Sequence, residues 1–331
     1  MTRNTLSRWL SAAALALASL AGTAAHAGPY TNMFVFGDSL TDTGNIFLAT
    51  AGSASPQALP PYYQGRFSDG PLWIDVLAQG LGLPAGAAPS LLGGTNFAWA
   101  GARTGRGTTP PGLLLQEEAF TNSVPTLDPN ALYVVVGGGN DMRDARNAFT
   151  SESGADQAGR QAAANAAVLN LSVVVTDLAS RGAKHFLVGN LPNLGLTAEA
   201  ALLGLQAAST DASNRFNERI TGLVNFGSNL GLDMNFLDMA GIVNAVYADA
   251  LLNNGATYGI TNLGLPCFLA NVPSCAAYAS VDGLHPTAPV HALFGQAALQ
   301  AVAVPVPEPE TLLLMSLGLA ALAWRQRARS A

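Results

Sequence analysis

The sequence predicts an α/β fold with a parallel sheet at its centre, and three observations carry that prediction. Apolar segments of four to six residues recur along the chain, each bounded by glycine, proline or polar residues, as buried strands are. Helical segments separate them, and this alternation gives crossovers between parallel strands. The first apolar segment, residues 33–36, runs into Gly37-Asp38-Ser39. That is a polar turn at a strand end, where open α/β sheets place their chemistry.

Taken in order, residues 33–36 are the first strand. Residues 51–70 are polar and rich in proline and glycine, and read as a loop. Residues 71–81 follow as a helix, with Pro71 favoured in its first turn. Residues 95–99 read as a short second strand. Residues 131–136 are a continuous apolar run ended by three glycines, as in a strand buried on both faces. Residues 156–180 form a long helix, with Val168, Leu171, Val175 and Leu178 on one face at spacings of three and four. Gly182 ends it. Residues 185–188 are the fourth strand, 209–226 a helix, 234–237 the fifth strand and 240–252 another helix. Residues 253–280 read as a long loop carrying both cysteines, and 288–303 as the last helix. No internal repeat or interdomain linker breaks this order.

Both ends read as processing segments. Arg3 and Arg8 precede an alanine-rich apolar run, and Ala25-His26-Ala27 is a small-x-small cleavage site. Residues 1–27 are therefore expected to be a secretory signal peptide. At the other end, Pro307-Glu308-Pro309 precedes an apolar run over 312–324 and then Arg325, Arg327 and Arg329. That run would span roughly 20 Å as a helix, short for a hydrocarbon core of about 30 Å. The basic end would stay on the cytoplasmic side. This tail, residues 306–331, resembles the PEP-CTERM sorting signal of Gram-negative bacteria. The resemblance implies transient anchoring of the precursor in the inner membrane, then removal by an exosortase-like enzyme. Residues 28–305 remain as one α/β domain, long enough for a substantial core.

Four blocks of sequence identify the chemistry. The first is Phe36-Gly37-Asp38-Ser39-Leu40-Thr41-Asp42-Thr43-Gly44-Asn45. The second is Asn96-Phe97-Ala98-Trp99-Ala100-Gly101. The third is Gly138-Gly139-Asn140-Asp141, directly after an apolar strand. The last is Asp282-Gly283-Leu284-His285. In this order they resemble the GDSL esterase and lipase family, the SGNH hydrolases, and frame most of the chain. Residues 65–70 resemble a segment of the lipase-like branch. The resemblance implies a flavodoxin-like three-layer α/β/α sandwich with a five-stranded parallel sheet. The competing α/β-hydrolase fold uses a Gly-x-Ser-x-Gly elbow, and no serine here has glycine on both sides at that spacing.

The resemblance also implies roles. Ser39 is the expected nucleophile, His285 its base and Asp282 the acid that orients the imidazole. The backbone amides of Ser39 and Gly101 and the side-chain amide of Asn140 are the expected oxyanion donors. Each has a plainer reading: Ser39 as a turn or capping residue, Gly101 as a turn glycine, Asn140 as a helix cap, His285 as a surface histidine. His185 reads as structural, and His291 has no acid at the family spacing.

Composition excludes several other chemistries. The formal net charge is −6 and Lys184 is the single lysine. Loss of both ends removes five arginines and leaves an acidic surface, poorly suited to nucleic acid or anionic lipid headgroups. The glycine run 137–139 lacks the spacing and the lysine of a phosphate loop. Two cysteines and the remaining histidines show no zinc spacing, so no metal or organic cofactor is expected. Cys267 and Cys275 are expected to pair after export, the alternative being two buried thiols. The expected partners are a small-molecule, lipid or acylated-polysaccharide ester, a signal peptidase and an exosortase-like enzyme. The expected location is extracellular or at the cell surface. A phospholipase or acyltransferase, and a non-catalytic matrix protein, are the rival readings.

Overall fold

The computed structural model describes residues 30–51, 62–124 and 126–303. The expected signal peptide and C-terminal tail lie outside the described residues. So do residues 52–61, in the loop before the first long helix.

Among the described residues four parallel strands form the sheet, in the spatial order in which they occur along the chain. They are β1 (Met33–Gly37), β2 (Leu132–Val136), β3 (His185–Gly189) and β4 (Asp233–Leu237). Their starts are aligned: Met33 pairs with Leu132, Leu132 with His185 and His185 with Asp233. β2 is buried along its whole length. That is why its sequence is apolar throughout rather than alternating.

The helices, in chain order, are α1 (Asn45–Ala49), α2 (Trp73–Leu81), α3 (Leu113–Ser123), α4 (Gly139–Ala148), α5 (Gly154–Ser180), α6 (Ala198–Leu203), α7 (Gln206–Asn229), α8 (Met239–Asn253) and α9 (Ala288–Ala301). One face of the sheet presents Phe36, Tyr133, Val135, Phe186 and Val188 to Leu171, Val175 and Leu178 of α5 and Phe216 and Ile220 of α7. Alternate strand residues Met33, Val35, Leu132, Val134 and Leu187 are buried on the other face, where α9 packs on α2 and against β4. By length and composition α5 could cross a membrane. Here its apolar stripe is part of the core, and Ser153 caps it by accepting from the Asp156 amide at 3.2 Å.

The expected five strands are corrected to four. Residues 95–99 do run beside β1: Val35 N donates to Thr95 O (3.0 Å), Phe97 N to Val35 O (2.7 Å) and Trp99 N to Gly37 O (3.1 Å). Only an isolated bridge between Val35 and Asn96 results. The reason lies in Asn96. Its carboxamide oxygen accepts from the Ala98 amide at 2.9 Å, which turns the chain on itself. Its nitrogen donates to Thr41 O at 2.8 Å, into the turn after β1. The segment spends its polar groups on that turn rather than on a longer ladder.

The chain thus passes from β1 to this outer flank, then back across β1 to β2. The loops leaving β1 and the flank diverge at the carboxyl end of the sheet, and such a divergence opens a crevice.

Candidate active site

Ser39 lies at that crevice. β1 ends at Gly37, where a Cβ would sit 2.6 Å from Val136 O and 2.8 Å from Thr41 Oγ1, so only glycine fits. Gln116 of α3 pins the same residue, accepting from its N–H and donating to its C=O, both at 2.9 Å. The turn then wraps around Asp42. This buried carboxylate accepts from the amides of Gly44 (2.8 Å), Asn45 (2.6 Å), Ile46 (3.1 Å) and Ala100 (2.8 Å). Asn45 donates to Asn96 O and Ala98 O at 2.8 and 2.9 Å. A web of buried polar groups therefore joins the Ser39 turn to residues 96–101. Burial raises the pKa of Asp42, and the four amides pull it back. Asp38 has fewer donors: its carboxylate accepts from Leu40 N at 3.1 Å, and burial pushes it up to about 6.

His285 reaches Ser39 from the far end of the sequence, with Nε2 2.9 Å from Ser39 Oγ. Nδ1 is 2.6 Å from Asp282 Oδ2. A carboxylate only accepts, so Nδ1 carries the proton and Nε2 is left to accept from the serine hydroxyl. Asp282 Oδ1 accepts from the amides of Leu284 (2.9 Å) and His285 (2.8 Å). Burial opposes its ionisation, but the His285 charge, its hydrogen bond and those amides outweigh burial and hold the carboxyl well below the usual range.

Asn140 opens α4, which starts directly after β2. Its Nδ2 donates to Ala102 O at 3.0 Å and its Oδ1 accepts from Arg143 Nη1 at 3.2 Å. Gly101 takes φ +81° in the turn just before Ala102, a conformation that favours glycine. Among the described residues, neither the Ser39 nor the Gly101 N–H donates within the protein. Ser39, Asn140 and His285 line one cavity with Asp38, Leu40, Arg143, Leu191, Leu194, Thr197 and Leu284. Gly101 and Asp282 do not line this cavity, and Asp282 reaches it through His285.

Other predicted features are also placed. Cys267 and Cys275 form a disulfide, with Cα atoms 5.5 Å apart. His185 lies at the opposite end of the strands, 2.8 Å from Asp233. His291 is fully buried, accepts from Trp73 N at 3.4 Å, and is lowered to about 3 by burial and by His285. Among the described residues no cluster of His, Cys, Asp and Glu could hold a metal ion.

Three contacts escape sequence reasoning. Tyr62 donates to Asp282 Oδ2 at 2.9 Å. Phe67 lies against the His285 ring, centroids 4.7 Å apart. Arg143 and Glu199 form an ion pair at the cavity edge. Only Phe67 carried a signal, inside the 65–70 segment. Tyr62 is 220 residues from Asp282 and Glu199 is 56 residues from Arg143, and nothing local marks them.

Comparison with known proteins follows the same frame. The family described as GDSL-like Lipase/Acylhydrolase matches residues 33–298, and the PEP-CTERM protein-sorting motif matches residues 305–328. A GDSL esterase/lipase of Arabidopsis thaliana is 28% identical over 82% of this chain and 82% of its own. Phosphatidylcholine-sterol acyltransferase of Aeromonas hydrophila is 29% identical over 63% of this chain and 59% of its own. Esterase EstA of Pseudomonas aeruginosa is 28% identical over 87% of this chain and 49% of its own.

Proposed function

Since the chain belongs to the GDSL-like lipase/acylhydrolase family and is a carboxylic ester hydrolase of that type, we propose that it works through an acyl-enzyme on Ser39. The observation that carries this reading is the relay from Asp282 through His285 to Ser39, at 2.6 and 2.9 Å. Ser39 Oγ attacks the ester carbonyl carbon and its proton passes to His285 Nε2. The oxyanion faces the amides of Ser39 and Gly101 and the Asn140 side chain. The tetrahedral intermediate expels the alcohol, which takes the proton from His285. Water then attacks the acyl-enzyme, His285 accepts its proton, and the acid leaves as that proton returns to Ser39.

The cavity walls suggest the substrate. Leu40, Leu191, Leu194 and Leu284 line the cavity that Ser39 opens into, beside Asp38, Arg143 and Thr197, and this wall suits an ester with an apolar arm better than a sugar. A lipid ester is therefore the favoured class. The same acyl-enzyme could pass its acyl group to an alcohol instead of water, as the name of the Aeromonas relative implies for that protein.

The C-terminal motif implies an exported protein sorted to the cell surface. We place the hydrolase domain at residues 28–305, between a signal peptide at 1–27 and a tail at 306–331 cut near Glu308 by an exosortase-like enzyme.

A fluorophosphonate probe and a panel of p-nitrophenyl esters, a phospholipid and an acetylated polysaccharide test the reading. The wild-type protein should label and turn over. Ser39→Ala should do neither, with a loss on the order of a million-fold in kcat. A wild-type protein that neither labels nor hydrolyses any ester would support the matrix-protein alternative instead.

A further inference from the structure

We propose that Arg143 and Glu199 form a positioning clamp that orients the Asn140 carboxamide and ties it to the turn carrying Asp282 and His285. The proposal rests on the reading of Asn140 as an oxyanion donor.

Asn140 and Arg143 are three residues apart on α4, so they share a face. Arg143 Nη1 donates to Asn140 Oδ1 at 3.2 Å. A guanidinium has only donors, so the atom facing it must be the carboxamide oxygen. That contact settles which way round the side chain sits. Nδ2 is on the other side, giving one hydrogen to Ala102 O at 3.0 Å. Its second hydrogen remains for the cavity. A flipped carboxamide would present an oxygen to the developing oxyanion and repel it.

Arg143 is itself held. Its Nε donates to Glu199 Oε2 at 3.1 Å and its Nη2 to Oε1, a two-pronged pair that fixes the guanidinium plane. Glu199 also binds Arg146, whose side chain is 1% exposed and whose Nη1 donates to Ser209 Oγ at 3.1 Å. Two guanidinium groups thus face one carboxylate, and the charge of Arg143 stands directly against Asn140 Oδ1. Acting through the carboxamide oxygen, it polarises the N–H toward a negative oxygen.

The clamp extends to the other half of the site. The Glu199 backbone N–H donates to Gly283 O at 3.0 Å, between Asp282 and His285. One residue therefore touches both the support of the oxyanion donor and the turn of the base. A spread between those two halves would misplace the carbonyl relative to Ser39 and lose rate without losing the fold.

The test is a double-mutant cycle on p-nitrophenyl acetate hydrolysis: Arg143→Gln and Arg143→Lys, each alone and with Asn140→Ala, with thermal melts for folding. Arg143→Gln should lower kcat about 10-fold or more, short of the roughly 100- to 1,000-fold cost of losing a donor. KM should move less than about threefold, as for an interaction made in the transition state. Arg143→Lys should recover part of kcat. In the Asn140→Ala background Arg143→Gln should add less than about twofold, because its route to the substrate is gone. A folded Arg143→Gln with wild-type kcat, or the same loss with and without Asn140, overturns the clamp. If Arg143→Gln does not fold, Arg143→Lys carries the same comparison: a kcat loss confined to the Asn140 background supports the clamp, and wild-type kcat or an Asn140-independent loss overturns it. Wild-type kcat in Asn140→Ala alone overturns the oxyanion reading beneath it, whatever Arg143 does.

Discussion

The two halves of the proposed site are held in opposite ways. The turn carrying Ser39, the proposed nucleophile, is an inward structure. Gly37, Asp42, Asn45 and Asn96 are buried, and their bonds run within residues 37–46, to residues 88–100 beside β1 and to Gln116. The base turn is fastened from outside. Tyr62 binds Asp282, Phe67 covers His285, Ser68 donates to Pro286 O at 3.0 Å and Glu199 holds Gly283. The disulfide loop lies alongside it, with Cys267 N donating to Ser280 O and Phe268 N to Val281 O at 3.0 and 2.9 Å. Phe268 also meets Tyr62 edge to face, centroids 4.6 Å apart. The contrast teaches that a nucleophile can be rigid by being core, whereas a base on a late loop needs ties from several separate segments.

Of four changes that would break this contrast, the largest effect falls on the Asp282 side. Asp282→Asn should keep the fold but disturb the imidazole tautomer, lowering kcat on the order of 10⁴-fold in the ester assay. A loss below tenfold would mean that Tyr62 and the backbone orient His285 without the carboxylate.

Next is the core of the nucleophile side. Asp42→Ala strands four backbone N–H groups, each costing about 1 to 3 kcal/mol when left unpaired. Chemical denaturation should show a loss of at least about 3 kcal/mol, with activity falling because folded protein is scarce. A variant of wild-type stability would break the claim that this half is held as core.

Asp38 gives a pH-dependent version of the same point. Its folded value is near 6 and its ordinary value 3.8, so the folded state binds the extra proton between those limits. The penalty for its buried charge is absent below the lower limit and complete above the upper one. Asp38→Asn keeps an acceptor for Leu40 N while removing the charge. It should stabilise the protein by up to about 3 kcal/mol at pH 8 and hardly at all at pH 4. Melting curves at the two pH values check this, and equal shifts at both would refute it.

The smallest of the four concerns the staple. Replacing Cys267 and Cys275 by serine opens a loop of sequence separation 8, worth about 2 to 3 kcal/mol in the chain-entropy picture. Hydrogen exchange should quicken at Val281 and His285 and leave the amides of Asn45 and Ala100 unchanged. Uniform quickening would erase the distinction between the halves.

This division also explains what could be read in advance. Ser39, Asp42, Asn96 and Gly101 belong to contiguous blocks, because a turn folded on its own neighbours must write its requirements locally. β2 and α5 were legible from unbroken or periodic apolar runs. Residues 95–99 were not: their apolar pattern says strand, while Asn96 uses its side chain to end the ladder early. α3 and α4 went unread because Gln116, Glu117, Asn140 and Arg146 turn polar groups inward, which blurs the apolar stripe. Tyr62, Arg143 and Glu199 act across the fold, and a single sequence carries no mark of such partners.

The disulfide finally sets an order in time. Thiols stay reduced in the cytoplasm, and a structural bridge closes in an oxidising compartment. Every bond of the nucleophile turn uses groups present as soon as the chain is made. The Cys267–Cys275 bridge beside the turn of Asp282 and His285 is therefore the tie that depends on the redox state around the chain. A reducing medium should loosen that side of the proposed site and leave the Ser39 turn as it is.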